Sequence, residues 1–239
     1  TRTGVRRLFI NGLQIAEGYG MTEDNSYSHS SDESHSEPGW VGVPLPGVQV
    51  RINDQGEIEI KSPAQFSGYY RQPELTAASF TEDGYFRTGD LGERRPDGML
   101  KITGRAKELF KTAKGKYVAP APIENEINAH PMVELSLVSG VGQPSAYAVV
   151  VLAEALRPRQ SDPSLRQQVE AEFTALRDRI NRGRPDYEHL RMIVVAREPW
   201  TIEGGTLTPT MKIKRSRIEA AVAPQVEHWY SRTQAVIWQ

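Results

Sequence analysis

Residues 104–120 read GRAKELFKTAKGKYVAP, and the organisation of the chain turns on them. Arg105, Lys107, Lys111, Lys114 and Lys116 fall within twelve residues, a density of cationic groups suited to several phosphates. The cluster also reads as a solvated basic loop or as a nucleic-acid patch. Against the patch, only Phe110 and Tyr117 are aromatic here, and the chain carries 29 Lys plus Arg against 30 Asp plus Glu. The stretch is also a border. Residues 1–103 hold short strand signals separated by turns, whereas residues 104–239 mix helical and strand-like segments, so two domains with those bounds are expected.

On the C-terminal side, Pro122 lies in the first turn of a helix over APIENEINAH. ELSLVSGVG and AYAVVVLAEA read as strands, with YAVVVLA at 147–153 buried. Over residues 163–181, Leu165, Val169, Phe173, Leu176 and Ile180 recur at helical spacing, with Arg166, Glu170, Asp178 and Arg179 off that face. MIVVA at 192–196 reads as a strand, TIEGGTLTPT as a loop, and MKIKRSRIEAAV as the start of the last helix. On the N-terminal side, LFINGLQI at 8–15 is an apolar segment broken by Asn11-Gly12. SYSHSSDESHSE at 26–37 is polar and serine-rich, which predicts a surface loop. VQVRI and EIEI flank Asp54-Gln55-Gly56, a hairpin signal, and Pro96-Asp97-Gly98 marks a second strand–turn–strand unit. Short strands at this spacing predict a small barrel or a compact antiparallel sheet.

Three further places have the residue types for chemistry. In Gly18-Tyr19-Gly20-Met21-Thr22-Glu23 the glycines allow close backbone approach, Tyr19 offers a ring for stacking, Thr22 a hydroxyl, and Glu23 a hard oxygen ligand for Mg²⁺. The plainer reading is a glycine turn before a loop. Thr88-Gly89-Asp90 places a carboxylate after a tight turn, where it can accept ribose hydroxyls or simply its own backbone N–H groups. Gly204 to Thr210, running into Met211-Lys212-Ile213-Lys214-Arg215, suits a mobile loop that carries a lysine, or a helix start with a solvated basic face. It lacks the GxxxxGK[ST] pattern of a P-loop.

Composition narrows the classes. The 239 residues are 38% hydrophobic and 25% charged, enough for one large domain or two modest ones. A formal net charge of −1 gives no bulk attraction to nucleic acid. The absence of cysteine removes disulfides, cysteine-based zinc sites and thiol nucleophiles. The five histidines show no metal-ligand spacing, and no G-x-S-x-G elbow occurs. No apolar run approaches the roughly 20 residues of a membrane helix. A cytoplasmic location, free or peripheral to a membrane, is expected. The start, TRTGVRR, has neither Met nor an apolar stretch behind it, so the chain is expected to begin within a longer protein.

In order and rough spacing, YGMTE at 19–23, SGYYRQPELTAASF at 67–80, YFRTGD at 85–90, GRAKELFKTAKGKYVAP at 104–120 and the lysine segment at 207–215 resemble the AMP-forming acyl-activating (adenylate-forming) superfamily. The resemblance covers about residues 14–220, and GKYVAPAPIE and LTPTMKIKR look most like the long-chain fatty acyl-CoA synthetase branch. It implies an α/β and β architecture: residues 1–103 as the C-terminal part of a large AMP-binding domain with a small distorted β-barrel, and residues 104–239 as a small, mobile α+β lid domain.

The implied activity is ATP-dependent activation of a carboxylic acid, a fatty acid by the branch, as acyl-AMP, followed by transfer to coenzyme A. By resemblance, Tyr19 and Gly20 border the adenine, Thr22 contacts the α-phosphate, and Glu23 holds Mg²⁺. Asp90 and Arg105 take the ribose hydroxyls, Lys107 is the hinge, Lys111 serves the thiol-transfer state, and Lys212 bridges carboxylate and phosphate during adenylation. Met211 stands where many relatives carry glycine, which leaves Lys214 as an alternative to Lys212. The upstream phosphate loop and most of the acyl pocket are absent, so the missing N-terminal part is an expected partner and the piece alone is expected to be inactive. The other readings are an acyl-AMP ligase that loads a carrier protein and a non-catalytic nucleotide-binding module.

Overall fold

The computed structural model describes residues 16–239 and two short strands before them, β1 (Phe9–Ile10) and β2 (Leu13–Gln14), which pair antiparallel. The Asn11-Gly12 break lies outside the described residues. The chain divides into two compact units, Thr1–Lys107 and Glu108–Gln239. The division falls beyond residue 103 because Gly104 and Arg105 still pair with Leu91 and Asp90 in the first unit's sheet.

In the first unit, β3 (Gly18–Tyr19), β4 (His29–Ser30) and β5 (Val43–Pro44) form a three-stranded antiparallel sheet with β4 in the centre. This corrects the surface loop expected over 26–37 in part, since Asp32, Glu33 and Ser34 are exposed and outside the strands. Ser28, His29, Ser31 and Ser36 are all buried. Polarity did not keep Ser28, His29 and Ser31 in water because they find partners. Ser31 Oγ accepts the Glu17 N–H at 2.7 Å, the Ser31 N–H donates to the Glu17 carbonyl, and Ser28 Oγ pairs with His29 Nδ1. Gly42, at φ +86°, passes so close to Ser30 that a Cβ would stand 2.0 Å from its carbonyl oxygen.

The remaining strands, β6 (Gln49–Ile52), β7 (Glu57–Lys61), β8 (Phe86–Arg94) and β9 (Leu100–Arg105), make a four-stranded antiparallel sheet in chain order, with the short helix α1 (Pro73–Ala78) between β7 and β8. Val50, Ile58, Ile60 and Leu100 form its core, and the Tyr19 ring packs against them. The expected hairpin turns at 54–56 and 96–98 join β6 to β7 and β8 to β9. Thr88-Gly89-Asp90 is a bulge within β8 rather than a turn after it. Between Leu91 and Arg87 the strand has two residues more than β7 has between Glu57 and Glu59, and Gly89 takes φ +72° there.

The second unit opens with the hairpin of β10 (Phe110–Lys111) and β11 (Tyr117–Val118), then α2 (Pro120–Asn128), β12 (Val133–Ser139), β13 (Ala146–Leu152), α3 (Pro163–Asn181), β14 (Leu190–Val195), α4 (Arg215–Ser231) and β15 (Val236–Trp238). Its sheet runs β12-β13-β14-β15, antiparallel at the first pair and parallel at the other two. All seven residues of β13 are buried, since both faces are covered. Ala148, Val150, Leu152, Ile193 and Val195 face Ile123 and Ile127 of α2 and the Leu165–Ile180 stripe of α3. Their neighbours Tyr147, Val149, Val151, Met192 and Val194 face Val222, Val226 and Trp229 of α4. Each fully buried large side chain contributes about 1.5–3 kcal/mol. Phe110 and Val118 sink into the α2/α3 side of this core, which fixes the basic hairpin to the unit and leaves Lys111 exposed.

Candidate functional site

Alternation along β8 and β9 turns Asp90 and Arg105 toward each other as directly paired residues. Arg105 Nε lies 3.0 Å from Asp90 Oδ1, and the Tyr19 hydroxyl donates to Asp90 Oδ2 at 2.7 Å. Asp90 is itself buried, while the Arg105 side chain is 66% exposed. The bulge is secured by Thr88, whose Oγ1 donates to the Ile58 carbonyl and accepts the Asp90 N–H, and by Glu57, which accepts the Gly89 N–H. Burial first, then the Asp90 charge and hydrogen bond, push the Tyr19 phenol far above its ordinary range, so it stays a neutral donor. Sequence reading therefore chose three residues that the fold brings into one cluster. Each carboxylate oxygen retains a lone pair for a second donor, which is the acceptor capacity a pair of hydroxyls needs.

Tyr19 enters from β3, where it pairs with His29 and tilts its ring against the imidazole at 6.1 Å between centroids. His29 is 2% exposed, its Nε2 has no partner among the described residues, and burial, helped by the Arg94 charge, drives its pKa down to about 4. Gly20 is tight for a reason other than ligand approach: a Cβ there would stand 2.5 Å from Ser26 Cα. The chain folds back on itself through Asn25 and Ser26, both at φ 56°.

Thr22, Glu23 and Asp24 form a single 3-10 turn. Asp24 is 3% exposed and accepts the Met21 N–H at 2.8 Å, which closes the turn, while burial raises its pKa and its Oδ2 has no partner among the described residues. Thr22 stands exposed. Glu23 is half-buried: its carbonyl accepts the Phe66 N–H at 2.7 Å and its Oε1 accepts the Tyr69 hydroxyl at 2.9 Å. Oε2 takes no hydrogen bond from the described residues. Among those residues no group of three acidic, histidine or cysteine side chains is placed to hold a metal. One carboxylate with a free oxygen nevertheless suits Mg²⁺, which is commonly held by one or two carboxylates together with substrate phosphates. Tyr69 was not singled out by the sequence. Tyr69-Tyr70 is a doublet, and nothing in the order of letters tells which ring turns inward.

Lys107 is exposed and is the last residue of the first unit. The second unit carries the other two lysines. Lys111 is exposed on β10, with Nζ 5.6 Å from the Tyr117 ring centroid. Lys212 is exposed near the tip of a small hairpin closed by the Leu207–Ile213 bridge, the Thr208 N–H to Lys212 carbonyl bond (2.8 Å), and the Met211 N–H to Thr208 carbonyl bond (2.9 Å). Met211 sits at φ 61°, the left-handed conformation that glycine adopts without strain. The backbone just before Lys212 thus has a conformation that suits glycine, although methionine stands there. The loop is seated by Arg215 at the start of α4. Its guanidinium reaches Glu124 Oε2 and the Val138 carbonyl, both at 2.9 Å, and Glu108 at 3.8 Å.

Comparison with known proteins identifies the family and the fold. The family described as AMP-binding enzyme matches residues 1–70, and the AMP-binding enzyme C-terminal domain matches residues 108–234, more than half of the chain. Over 233 residues the chain is 36% identical to the long-chain-fatty-acid–CoA ligase FadD15 of Mycobacterium bovis, covering 92% of this chain and 39% of that protein. It is 32% identical over 255 residues to the peroxisomal long chain acyl-CoA synthetase 7 of Arabidopsis thaliana, covering 94% of this chain and 36% of that one. The crystal structure of the adenylation domain of a carboxylate reductase from Mycobacterium chelonae superposes with a TM-score of 0.70 at 26% identity, over 91% of this chain and 35% of that one. The chain thus spans less than two fifths of the length of these relatives. Its fold is the C-terminal portion of the adenylate-forming architecture, mixed α/β with an antiparallel sheet in the first unit.

Proposed function

The chain belongs to the AMP-binding enzyme family, and from that premise we propose that it is the C-terminal part of a ligase that activates a fatty acid as acyl-AMP, with pyrophosphate release, and passes the acyl group to coenzyme A. The observation that carries this reading is the buried Asp90 held between the Tyr19 hydroxyl and Arg105, a pre-oriented acceptor for a ribose. Identity of 36% and 32% to fatty acid CoA ligases, against 26% to the reductase adenylation domain, supports coenzyme A over a carrier protein as acceptor.

The first half-reaction sets a carboxylate against the α-phosphorus of ATP, so like charges must approach. Lys212 offsets the charge that grows on the transferring phosphoryl group, and its exposed, hairpin-mounted ammonium suits that task. Thr22 donates its hydroxyl to the α-phosphate. A magnesium ion on Glu23, when bound, would screen the phosphates. Asp90 and Arg105 orient the ribose, and the Tyr19 ring borders the adenine. Acyl-AMP is an activated mixed anhydride and must be kept from water, which favours a closing unit. Lys107 is the residue about which the second unit turns, and Lys111 serves the thiol-transfer state that follows.

The test is ATP–pyrophosphate exchange by the whole protein with acetate, octanoate, palmitate and an aromatic acid. Exchange is expected with palmitate. Nucleotide binding without exchange for any acid would refute the reading in favour of a non-catalytic nucleotide-binding module. No helix among the described residues is long and apolar enough to cross a membrane. A cytoplasmic site of action, free or at a membrane surface, is part of the same proposal.

A further inference from the structure

Tyr69 has no role in the chemistry above, yet the fold builds a support around it. Segment 66–69 engages Glu23 twice, through the Phe66 N–H on its carbonyl at 2.7 Å and through the Tyr69 hydroxyl on Oε1 at 2.9 Å. Tyr69 is itself seated: its N–H donates to Thr76 Oγ1 at 2.9 Å, and that hydroxyl donates to the Gln72 carbonyl at 2.8 Å. Gly68 permits this seat, since at its φ of +143° a Cβ would stand 2.6 Å from Thr76 Cγ2. The Tyr69 ring meets Phe66 edge-on at 4.9 Å, and Phe66 in turn packs on Phe80 and Phe86. The direction of the hydroxyl is therefore over-determined. Tyr70, one residue on, is 81% exposed and makes no such contact.

We propose that Tyr69 is a positioning residue for a divalent-cation site at Glu23: its hydroxyl holds Oε1 and so presents Oε2 to the ion. The inference rests on the nucleotide reading of Glu23. A carboxylate free to rotate samples several rotamers and loses that freedom on binding the ion, whereas one already bonded at Oε1 has lost it beforehand. Tyr69→Phe deletes only that donor and keeps the ring against Phe66.

The experiment titrates Mn²⁺ into the complex of the whole protein with ATP and reads free Mn²⁺ by electron paramagnetic resonance. Tyr69→Phe is expected to weaken Mn²⁺ binding about tenfold or more, the usual cost of removing a group that orients a metal ligand. Tyr70→Phe is expected to leave it unchanged, and Tyr69→Phe to add nothing in a Glu23→Gln background. The KM for ATP at saturating Mg²⁺ should stay at the wild-type value, while half-saturating Mg²⁺ rises. Wild-type Mn²⁺ affinity in Tyr69→Phe, or an equal loss in Tyr70→Phe, would overturn the proposal while the nucleotide reading stands. If the wild-type complex takes up no Mn²⁺ beyond that held by free ATP, the nucleotide reading of Glu23 falls, and the role of Tyr69 with it.

Discussion

Replacing Arg215 by methionine removes the counter-charge from a carboxylate with little access to water. Glu124 is 8% exposed, and its Oε2 lies 2.9 Å from the Arg215 guanidinium, while Oε1 accepts the Val138 N–H at 2.6 Å. Breaking a buried pair from one side costs about 3–5 kcal/mol, since the charge left behind keeps its desolvation penalty. The lower end applies here, because the Val138 N–H remains on Glu124 and Arg215 Nε already has no partner among the described residues. The expected loss for Arg215→Met is therefore about 3 kcal/mol at pH 7. The loss should also depend on pH with a definite sign. Burial already holds the Glu124 carboxyl above its ordinary value, with Arg215 the strongest force pulling it back. Without Arg215 the folded pKa climbs further from the unfolded one. An acid shifted upward favours the fold at low pH, and that contribution is lost as pH rises through the folded pKa. The penalty in the variant should thus grow from below about 1 kcal/mol near pH 4.5 to its full size at pH 7, at no more than about 1.4 kcal/mol per pH unit. Urea unfolding of the whole protein, followed through the fluorescence of buried Trp229, measures it at each pH. A penalty under about 1 kcal/mol at pH 7, or one that is flat from pH 5 to 8, would refute the argument. Arg215→Met with Glu124→Leu should recover most of the loss.

Other perturbations probe the rest of the molecule. Met211→Gly removes a left-handed non-glycine residue and should be neutral or stabilising by up to about 1 kcal/mol, whereas Met211→Val should destabilise; thermal melts in the reverse order would contradict the strain. His29 is held neutral, with a folded pKa of about 4 against an ordinary 6.5, so its contribution is intact above pH 6.5 and is lost as pH falls toward 4. In His29→Gln the acid limb of the stability–pH curve should be flatter over that window, and an unchanged limb would show that the imidazole is not buried as described. Lys212→Ala should nearly abolish ATP–pyrophosphate exchange and largely spare thiol transfer from supplied acyl-AMP. Equal loss of both half-reactions would remove the assignment.

Much of the second unit was legible because periodicity and burial coincide there. The Leu165–Ile180 spacing yields α3 with those five residues buried, and the unbroken apolar run at 147–152 yields a strand covered on both faces. The first unit was legible at its turns, where glycine and proline dictate local geometry, and illegible where small polar residues go inside. Serine and histidine over 28–36 carry no hydrophobic signal, and only the strand pairing of His29 and Ser30 with Gly18–Tyr19 and Val43–Pro44, distant in sequence, reveals that this stretch is core. At Thr88-Gly89-Asp90 the letters suit a tight turn equally well, and it is the pairing of the flanking residues with β7 that makes them a bulge. The candidate residues came from motif order. What holds them, Tyr69 for Glu23 and Glu124 with Arg215 for the Lys212 loop, lies 46 and 91 residues apart in its respective pairs, beyond the reach of any local pattern.

Asp90 and Arg105 meet because β9 carries one extra residue, Thr103, between the partners of Leu91 and Gly92, and register counts residues. One residue inserted between Pro96 and Gly98 only enlarges the turn. The same insertion between Lys101 and Thr103 would send the Arg105 side chain through to the opposite face of the sheet. Descendants of this chain are thus free to change length at 95–99 and bound to conserve it at 101–104, so that inherited gaps, more than inherited letters, would trace the border of the site.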